Sequence, residues 1–90
     1  MGTILSDGQV ELIKVQRRKF KKYANAGWHC EGSEHNGIIC NVLYNNDTDE
    51  WFYADYDGNI LDSSNIKTTG IEDIKTMAEI QGRIRKISEE

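Results

Sequence analysis

The spacing of apolar residues changes twice along this chain, and that change limits the folds that the chain can adopt. Between Val10 and Ala24, apolar residues recur every three to four positions, which is the period of an amphipathic helix. From Trp28 onward they alternate with polar residues, which is the period of a β-strand. The helical period returns between Ile71 and Ile87. The sequence therefore predicts the order helix, sheet, helix.

The ends of the first helix carry local signals. Ser6 and Gln9 have the spacing of a capping box, in which each side chain satisfies an amide at the helix start. Gly27 suits the left-handed residue that follows a helix, so we predict a first helix over residues 9–26. A hairpin turning on Asp7-Gly8 is the alternative. We prefer the helix because the helical pattern runs through the whole segment.

The middle of the chain predicts short antiparallel strands joined by tight turns. Asn36-Gly37 and Asp57-Gly58 are turn signals, and the second favours a two-residue hairpin. Three strands are predicted, over residues 37–45, 50–56 and 59–63. A weaker fourth strand is predicted near residues 28–32. Thr69 and Glu72 then form a second capping box, which begins a helix that runs to about residue 88.

The predicted fold class is α+β, with an N-terminal amphipathic helix, a three- to four-stranded antiparallel β-meander and a C-terminal amphipathic helix. A chain of 90 residues fits one domain, so we assign residues 1–90 to a single α+β domain. Alternation places four residues of the predicted strand 37–45 on one face of the sheet: Ile38, Cys40, Val42 and Tyr44.

Charge is divided along the chain. Residues 1–22 hold six cations and two carboxylates, whereas residues 23–66 hold eight carboxylates and no Lys or Arg. Residues 67–90 are balanced, so the net charge is −4. Such separation creates opposed fields that steer charged partners. The alternative is that the basic helix lies beside the acidic sheet and neutralises it.

Carboxylates and aromatic residues alternate in the predicted hairpins. Carboxylates can imitate a row of phosphates, and aromatic side chains anchor protein interfaces. We therefore predict a surface that binds a protein partner with a basic surface. The alternative is that these acids only solubilise turns and edge strands. The predicted partner-binding residues are Asp47, Asp49, Glu50, Trp51, Tyr53, Asp55, Tyr56 and Asp57.

The basic face of the first helix is the alternative site. Several cations on one helical face could neutralise the phosphates of a nucleic acid, although the chain is acidic overall and carries no nucleic-acid motif. The same face could serve self-association, and a homo-oligomer could also form through the apolar side of the C-terminal helix. The residues of this predicted basic face, within 14–22, are Lys14, Arg17, Arg18, Lys21 and Lys22.

Metal binding and catalysis have little support in the sequence. Cys30, His35 and Cys40 have the spacing of three zinc-knuckle ligands, but the position of the fourth is Gly27. We predict no metal, no cofactor and no catalytic residue, because no phosphate-binding loop, nucleophile elbow or metalloprotease motif occurs. Core cysteines and a surface histidine are the simpler interpretation.

The resulting hypothesis is a small non-enzymatic interaction protein, an inhibitor or modulator of another macromolecule, such as a viral or mobile-element factor that acts on host machinery. A nucleic-acid-binding regulator is the alternative, and a ligand-sequestering oligomer is a weaker one. Two cysteines form no disulfide framework, which favours a cytoplasmic location, the host cytoplasm for a viral protein. We expect no membrane partner, although Met1-Gly2 opens a formal N-myristoylation pattern that a cloning scar also explains.

Overall fold

The computed structural model describes residues 4–89 and confirms the α+β class. The myristoylation pattern at Met1-Gly2 lies outside the described residues. No helix within residues 4–89 combines the length and the apolar character needed to cross a bilayer. The elements, in chain order, are α1 Asp7–Asn25, β1 Trp28–His35, β2 Ile38–Asn45, β3 Glu50–Ala54, β4 Ile60–Ser63 and α2 Ile71–Glu89.

The predicted caps of α1 are both present. The hydroxyl of Ser6 accepts from the amide of Gln9 at 3.2 Å, and the side chain of Gln9 accepts from the amide of Ser6 at 2.8 Å. The helix ends at Asn25, and Gly27 follows with φ +104°. A Cβ at this glycine would lie 2.7 Å from Oδ1 of Asn45, so both the backbone and the space around it require glycine. The capping residues therefore fix where α1 stops and β1 starts.

The four strands form one antiparallel meander in the order β1-β2-β3-β4. The turn between β1 and β2 has positive φ at both central residues, 50° at Asn36 and 81° at Gly37, as a tight two-residue hairpin requires. The segment predicted as a weak strand is the full eight-residue β1. It pairs along its whole length with β2, which explains why a short polar pattern still forms a strand.

The prediction of a two-residue hairpin at Asp57-Gly58 is wrong. β3 ends at Ala54 and β4 begins at Ile60, which leaves a loop over residues 55–59. The carboxylate of Asp55 accepts from the amides of Asp57 at 3.0 Å and Asn59 at 2.9 Å. This side chain organises a wider loop, because it satisfies amides that would otherwise be paired across a tighter turn.

The two helices run antiparallel and cover one face of the sheet. The amide group of Gln9, at the start of α1, donates to the carbonyl of Ile87, and the hydroxyl of Tyr23, near its end, donates to Asp73. The first hydrogen bond of α2 runs from Ile74 to the carbonyl of Gly70, so the predicted cap at Thr69 is one residue early. The core between the layers contains apolar residues of both helices and three strands: Phe20, Tyr23, Trp28, Leu43, Phe52, Ala54, Ile74, Met77, Ala78 and Ile80.

Polar residues of β2 point toward the helices together with Leu43. Asn41 is fully buried and accepts from Nε of Arg85 at 3.2 Å. Asn45 is also buried, and it donates to the carbonyl of Ala26 at 3.1 Å. The side chain of Asn45 and the Oδ1 of Asn41 therefore find partners on the buried Asn-Leu-Asn side, whereas the Nδ2 of Asn41 is buried without one. The residues that alternate with them, Ile38, Cys40, Val42 and Tyr44, share the other face, as predicted.

Candidate functional site: the open face of the sheet

One face of the sheet is turned away from both helices, and we call it the open face. Strand register and alternation assign its members, because residues paired across strands share a face. Cys40 also belongs to this side but is fully buried. The open face consists of His29, Glu31, Ser33, His35, Ile38, Val42, Tyr44, Trp51, Tyr53 and Asp62.

Aromatic side chains contact one another across the open face. His29 stacks on Tyr44 with ring centroids 5.4 Å apart, and His35 stacks on Tyr53 at 4.7 Å. Trp51 meets the edge of Tyr53 at 5.6 Å, and 36% of Trp51 is exposed. Such pairs hold the rings in fixed orientations. The result is two aromatic groups that lie side by side, because Tyr44 and Trp51 are paired across the strands, and His29 and Trp51 are exposed.

The open face is also acidic. Glu31 and Asp62 are exposed, and the segment 23–66 that forms the sheet contains no Lys or Arg. Nε2 of His35 lies 3.6 Å from Oδ2 of Asp62. Partial burial, the charge of Glu31 and a hydrogen bond to Glu31 together raise the pKa of Tyr44, so its phenol stays neutral at pH 7. The face therefore offers two carboxylates beside neutral aromatic rings.

The structure separates the eight predicted partner-binding residues into four places. Trp51 and Tyr53 lie on the open face. Asp47 and Asp49 are exposed in the loop between β2 and β3, where Asp49 has φ +63°. The loop aspartates carry charge at one end of the sheet, while the two aromatic residues lie on its surface.

Glu50 is directed to the helix-covered side. Only 6% of this residue is exposed, and its carboxylate accepts from the amide of Lys67 at 2.6 Å and the hydroxyl of Thr68 at 2.5 Å. The hydrogen bonds from Thr68 and Lys67 lower the pKa of Glu50 to about 2. This carboxylate ties the segment before α2 to the sheet, so it belongs to folding and not to a contact surface.

The remaining predicted residues lie in the β3–β4 loop, which rests against α2. Burial opposes the ionisation of Asp55, but hydrogen bonds from Asn59 and from loop amides outweigh it and lower the pKa of its carboxyl. The hydroxyl of Tyr56 lies 3.5 Å from Oε1 of Glu89, and Asp57 pairs with Lys86. These side chains attach the loop to the helix and point away from the open face.

Four residues of the open face that carry rings or carboxylates were not among the predicted partner-binding residues and lie in segments predicted as strands: His29, Glu31, Tyr44 and Asp62. A signal was present for these four, because they follow the period of two, whereas His35 lies between two predicted strands. The period of two shows which residues share a face of the sheet. It does not show which of the two faces the helices cover. The acidic aromatic surface was predicted at the ends of the hairpins, and the structure places it on the open face of the sheet instead.

The basic face of α1 does not lie over the acidic hairpins. All five predicted residues are exposed, and Lys14 pairs with Glu11 of the same helix at 3.6 Å. Within residues 4–89 the only ion pair that joins a helix to the strand region is Lys86 with Asp57, and it comes from α2. Ile13 and Phe20 of α1 are buried within the domain, as are the apolar residues of α2. The apolar side of α2 is therefore covered by the chain itself. The two charged surfaces are therefore separate and both reach solvent.

The zinc-knuckle spacing is not assembled into one site. Cys30 packs against the core, whereas Cys40 and His35 belong to the opposite face of the sheet. Across residues 4–89 no three His, Cys, Asp or Glu side chains converge as metal ligands would. Burial raises the pKa of the Cys30 thiol to about 11 and raises that of Cys40 as well. Both thiols are therefore protonated at pH 7 and are poor nucleophiles.

Comparison with protein families, with curated proteins and with solved structures finds no match for this chain. The class that the fold defines is a two-layer α+β domain with one uncovered sheet face.

Proposed function

We propose that this chain is a small non-enzymatic interaction protein that binds and modulates a basic protein partner through the open face. The observation that carries the proposal is a pair of neighbouring aromatic groups beside two carboxylates: His29 with Tyr44, and His35 with Tyr53 and Trp51. Exposed aromatic patches of this kind mark interaction sites on soluble domains.

Trp51 and Tyr53 are suited to act as anchors. Trp and Tyr are enriched among the residues that dominate binding energy, because they bury a large area at a low cost in side-chain entropy. The edge contact between these two rings, and the stacking of His35 on Tyr53, already restrict their rotation. Less ordering is therefore needed when a partner binds.

Arginine is the side chain that best complements the open face. Its planar guanidinium stacks on aromatic rings and forms paired hydrogen bonds with carboxylates such as Glu31 and Asp62. The sheet segment 23–66 carries eight carboxylates and no cation, which further attracts a basic partner. The partner we propose is an extended, arginine-bearing segment of another protein.

A nucleic acid complements this face less well. Aromatic residues on a sheet can stack on the bases of a single strand, but such sites also provide cations for the phosphates. The open face has carboxylates at Glu31 and Asp62 and no Lys or Arg. Phosphates would be repelled here, so we assign the face to protein binding.

The test uses a labelled 12-residue peptide in which Arg alternates with Thr, and the same peptide with Gln in place of Arg. Fluorescence anisotropy gives the affinity for the wild-type chain and for two open-face variants, Trp51→Ala and the double variant Glu31→Gln with Asp62→Asn. We expect the Arg peptide to bind and the Gln peptide not to bind. Each variant should weaken binding by at least about tenfold.

The matched control is Asp47→Asn with Asp49→Asn, which removes the same charge from the exposed β2–β3 loop. Because peripheral charges contribute little to affinity, we expect this control to change binding by less than about threefold. Circular dichroism verifies that each variant is folded. Equal losses in the loop and open-face double variants, or no effect of Trp51→Ala, would refute the assignment to the open face.

A further inference from the structure

A groove between α1 and α2 concentrates positive charge in the helix layer, on the opposite side from the open face. The cavity has a volume of about 580 Å³, within the range of small-molecule sites. Four of its lining side chains are cations and one is a carboxylate, a net of three positive charges. The charged residues of the groove are Arg18, Lys19, Lys22, Glu79 and Arg83, and Gln16 lines it beside them.

The cations in the groove are not neutralised by the protein. Arg18, Lys19, Lys22 and Arg83 are all exposed, and none takes part in an ion pair within residues 4–89. Like charges that line one groove repel, and a bound anion would relieve that repulsion. The ion pairs of the helix layer lie elsewhere, at Glu11–Lys14 and at Lys86 with the β3–β4 loop.

Gln16 gives a second and independent indication of a ligand. Only 5% of this residue is exposed, although it is polar, and its side chain lines the groove. The hydrogen bonds between the helices come from Gln9 and Tyr23, and Gln16 makes no side-chain hydrogen bond within residues 4–89. The amide atoms of Gln16 are not among the buried unpartnered atoms of residues 4–89, so they open onto the groove, where a ligand can bind them.

We propose that this groove binds a small polyphosphorylated ligand. The phosphates would accept hydrogen bonds from Arg18, Lys19, Lys22 and Arg83, and the amide of Gln16 would bind a phosphate oxygen or a neighbouring hydroxyl. The site is independent of the open face, because its residues lie in the helix layer and none belongs to the sheet.

The short span of the groove favours a compact ligand over a nucleic-acid backbone. Arg18 and Lys22 are four residues apart on α1, or about 6 Å along the helix axis. Three cations of α1 within that distance, facing Arg83 of α2, suit several negative charges held close together. The phosphates of an extended strand would instead follow the whole length of α1, including cations that do not line the groove, such as Lys14 and Lys21.

Isothermal titration calorimetry with inorganic tripolyphosphate, at constant salt, tests the proposal. The groove variant is Arg18→Gln with Arg83→Gln, and its matched control is Lys21→Gln with Lys75→Gln. Each pair removes one exposed cation from each helix, but the control residues do not line the groove. We expect one-to-one binding that weakens at least about tenfold in the groove variant and less than about threefold in the control.

Gln16→Leu separates a built site from general electrostatic attraction, because it leaves every charge in place. We expect it to bind tripolyphosphate several-fold more weakly while its thermal unfolding temperature is unchanged or higher. Equal losses in the two double variants, or unchanged binding by Gln16→Leu, would overturn the proposal. Tighter binding of a 12-nucleotide oligothymidylate, lost in the Lys21→Gln with Lys75→Gln control, would overturn it in favour of a nucleic-acid surface.

Discussion

Gly82 is the residue whose substitution tests the packing of the β3–β4 loop on α2 most sharply. It is buried in the middle of α2, where glycine is less favourable than alanine by about 1 kcal/mol in helix propensity. An unconstrained Gly82→Ala change should therefore stabilise the domain. However, an added Cβ would lie 2.8 Å from the carbonyl carbon of Tyr56 and 3.1 Å from its Cα, and closer still to the carbonyl oxygen.

These contacts decide the sign of the effect. Carbon atoms pack at about 3.5–4.0 Å, and the clashing atoms of Tyr56 are backbone, so the loop and the helix must move apart. Overpacking of this kind costs about 1–3 kcal/mol, so after the propensity gain of about 1 kcal/mol we expect a net loss of up to about 2 kcal/mol. Urea unfolding, followed by far-ultraviolet circular dichroism, gives the free energy of unfolding.

Gly8→Ala is the matched control. Gly8 lies in the first turn of α1, and a Cβ there would meet only Oγ of Ser6, at 3.9 Å. We expect this variant to gain about 0.4–1 kcal/mol, because alanine restricts the unfolded chain. If Gly82→Ala were as stable as the wild type or more stable, while Gly8→Ala behaved as expected, the close approach of the loop to α2 would be refuted.

Two further predictions concern the sheet. The pKa of Glu50 is lowered from 4.5 to about 2, so the stability that its carboxylate provides is complete above pH 4.5 and is lost as the pH falls toward 2. Glu50→Gln should therefore be less stable than the wild type at pH 7 and should lose less stability between pH 4.5 and 2, as measured by urea unfolding across that range. An equal pH dependence in both proteins would contradict this role. Leu43→Ala, in the core, should lose about 2–5 kcal/mol, whereas Val42→Ala, on the open face, should lose about 1 kcal/mol or less. If thermal and urea unfolding showed a larger loss of stability for Val42→Ala than for Leu43→Ala, the helices would cover the other face.

The parts of the fold that could be predicted are those fixed by neighbours in sequence. Ser6 and Gln9 cap each other across three residues, and Asn36-Gly37 forms its turn from its own backbone preferences. The helix and strand periods were also readable, because they depend only on spacing. The β3–β4 loop departed from prediction because the side chain of Asp55, which precedes the turn signal, reorganises it.

The covered side of the sheet could not be read from the sequence, because its polar residues have distant partners. Asn41 is bound by Arg85, 44 residues away, and Glu50 is bound by Lys67, 17 residues away. Without those partners, both residues resemble surface positions. Gln16 and Arg83 likewise belong to one groove only because the helices pack side by side. The candidate sites therefore depend on long-range contacts more than the secondary structure does.

The central claim is that the uncovered face of the sheet receives a cationic protein segment. The most direct measurement is a nuclear magnetic resonance titration of the labelled chain with the Arg-Thr peptide, following the indole of Trp51, the rings of Tyr44 and Tyr53, and the backbone amides. We predict that the largest changes occur at these rings and at amides of β1 to β3, with α1 unaffected. Changes confined to α1 or to the Asp47–Asp49 loop, with the three rings unchanged at saturation, would contradict the account.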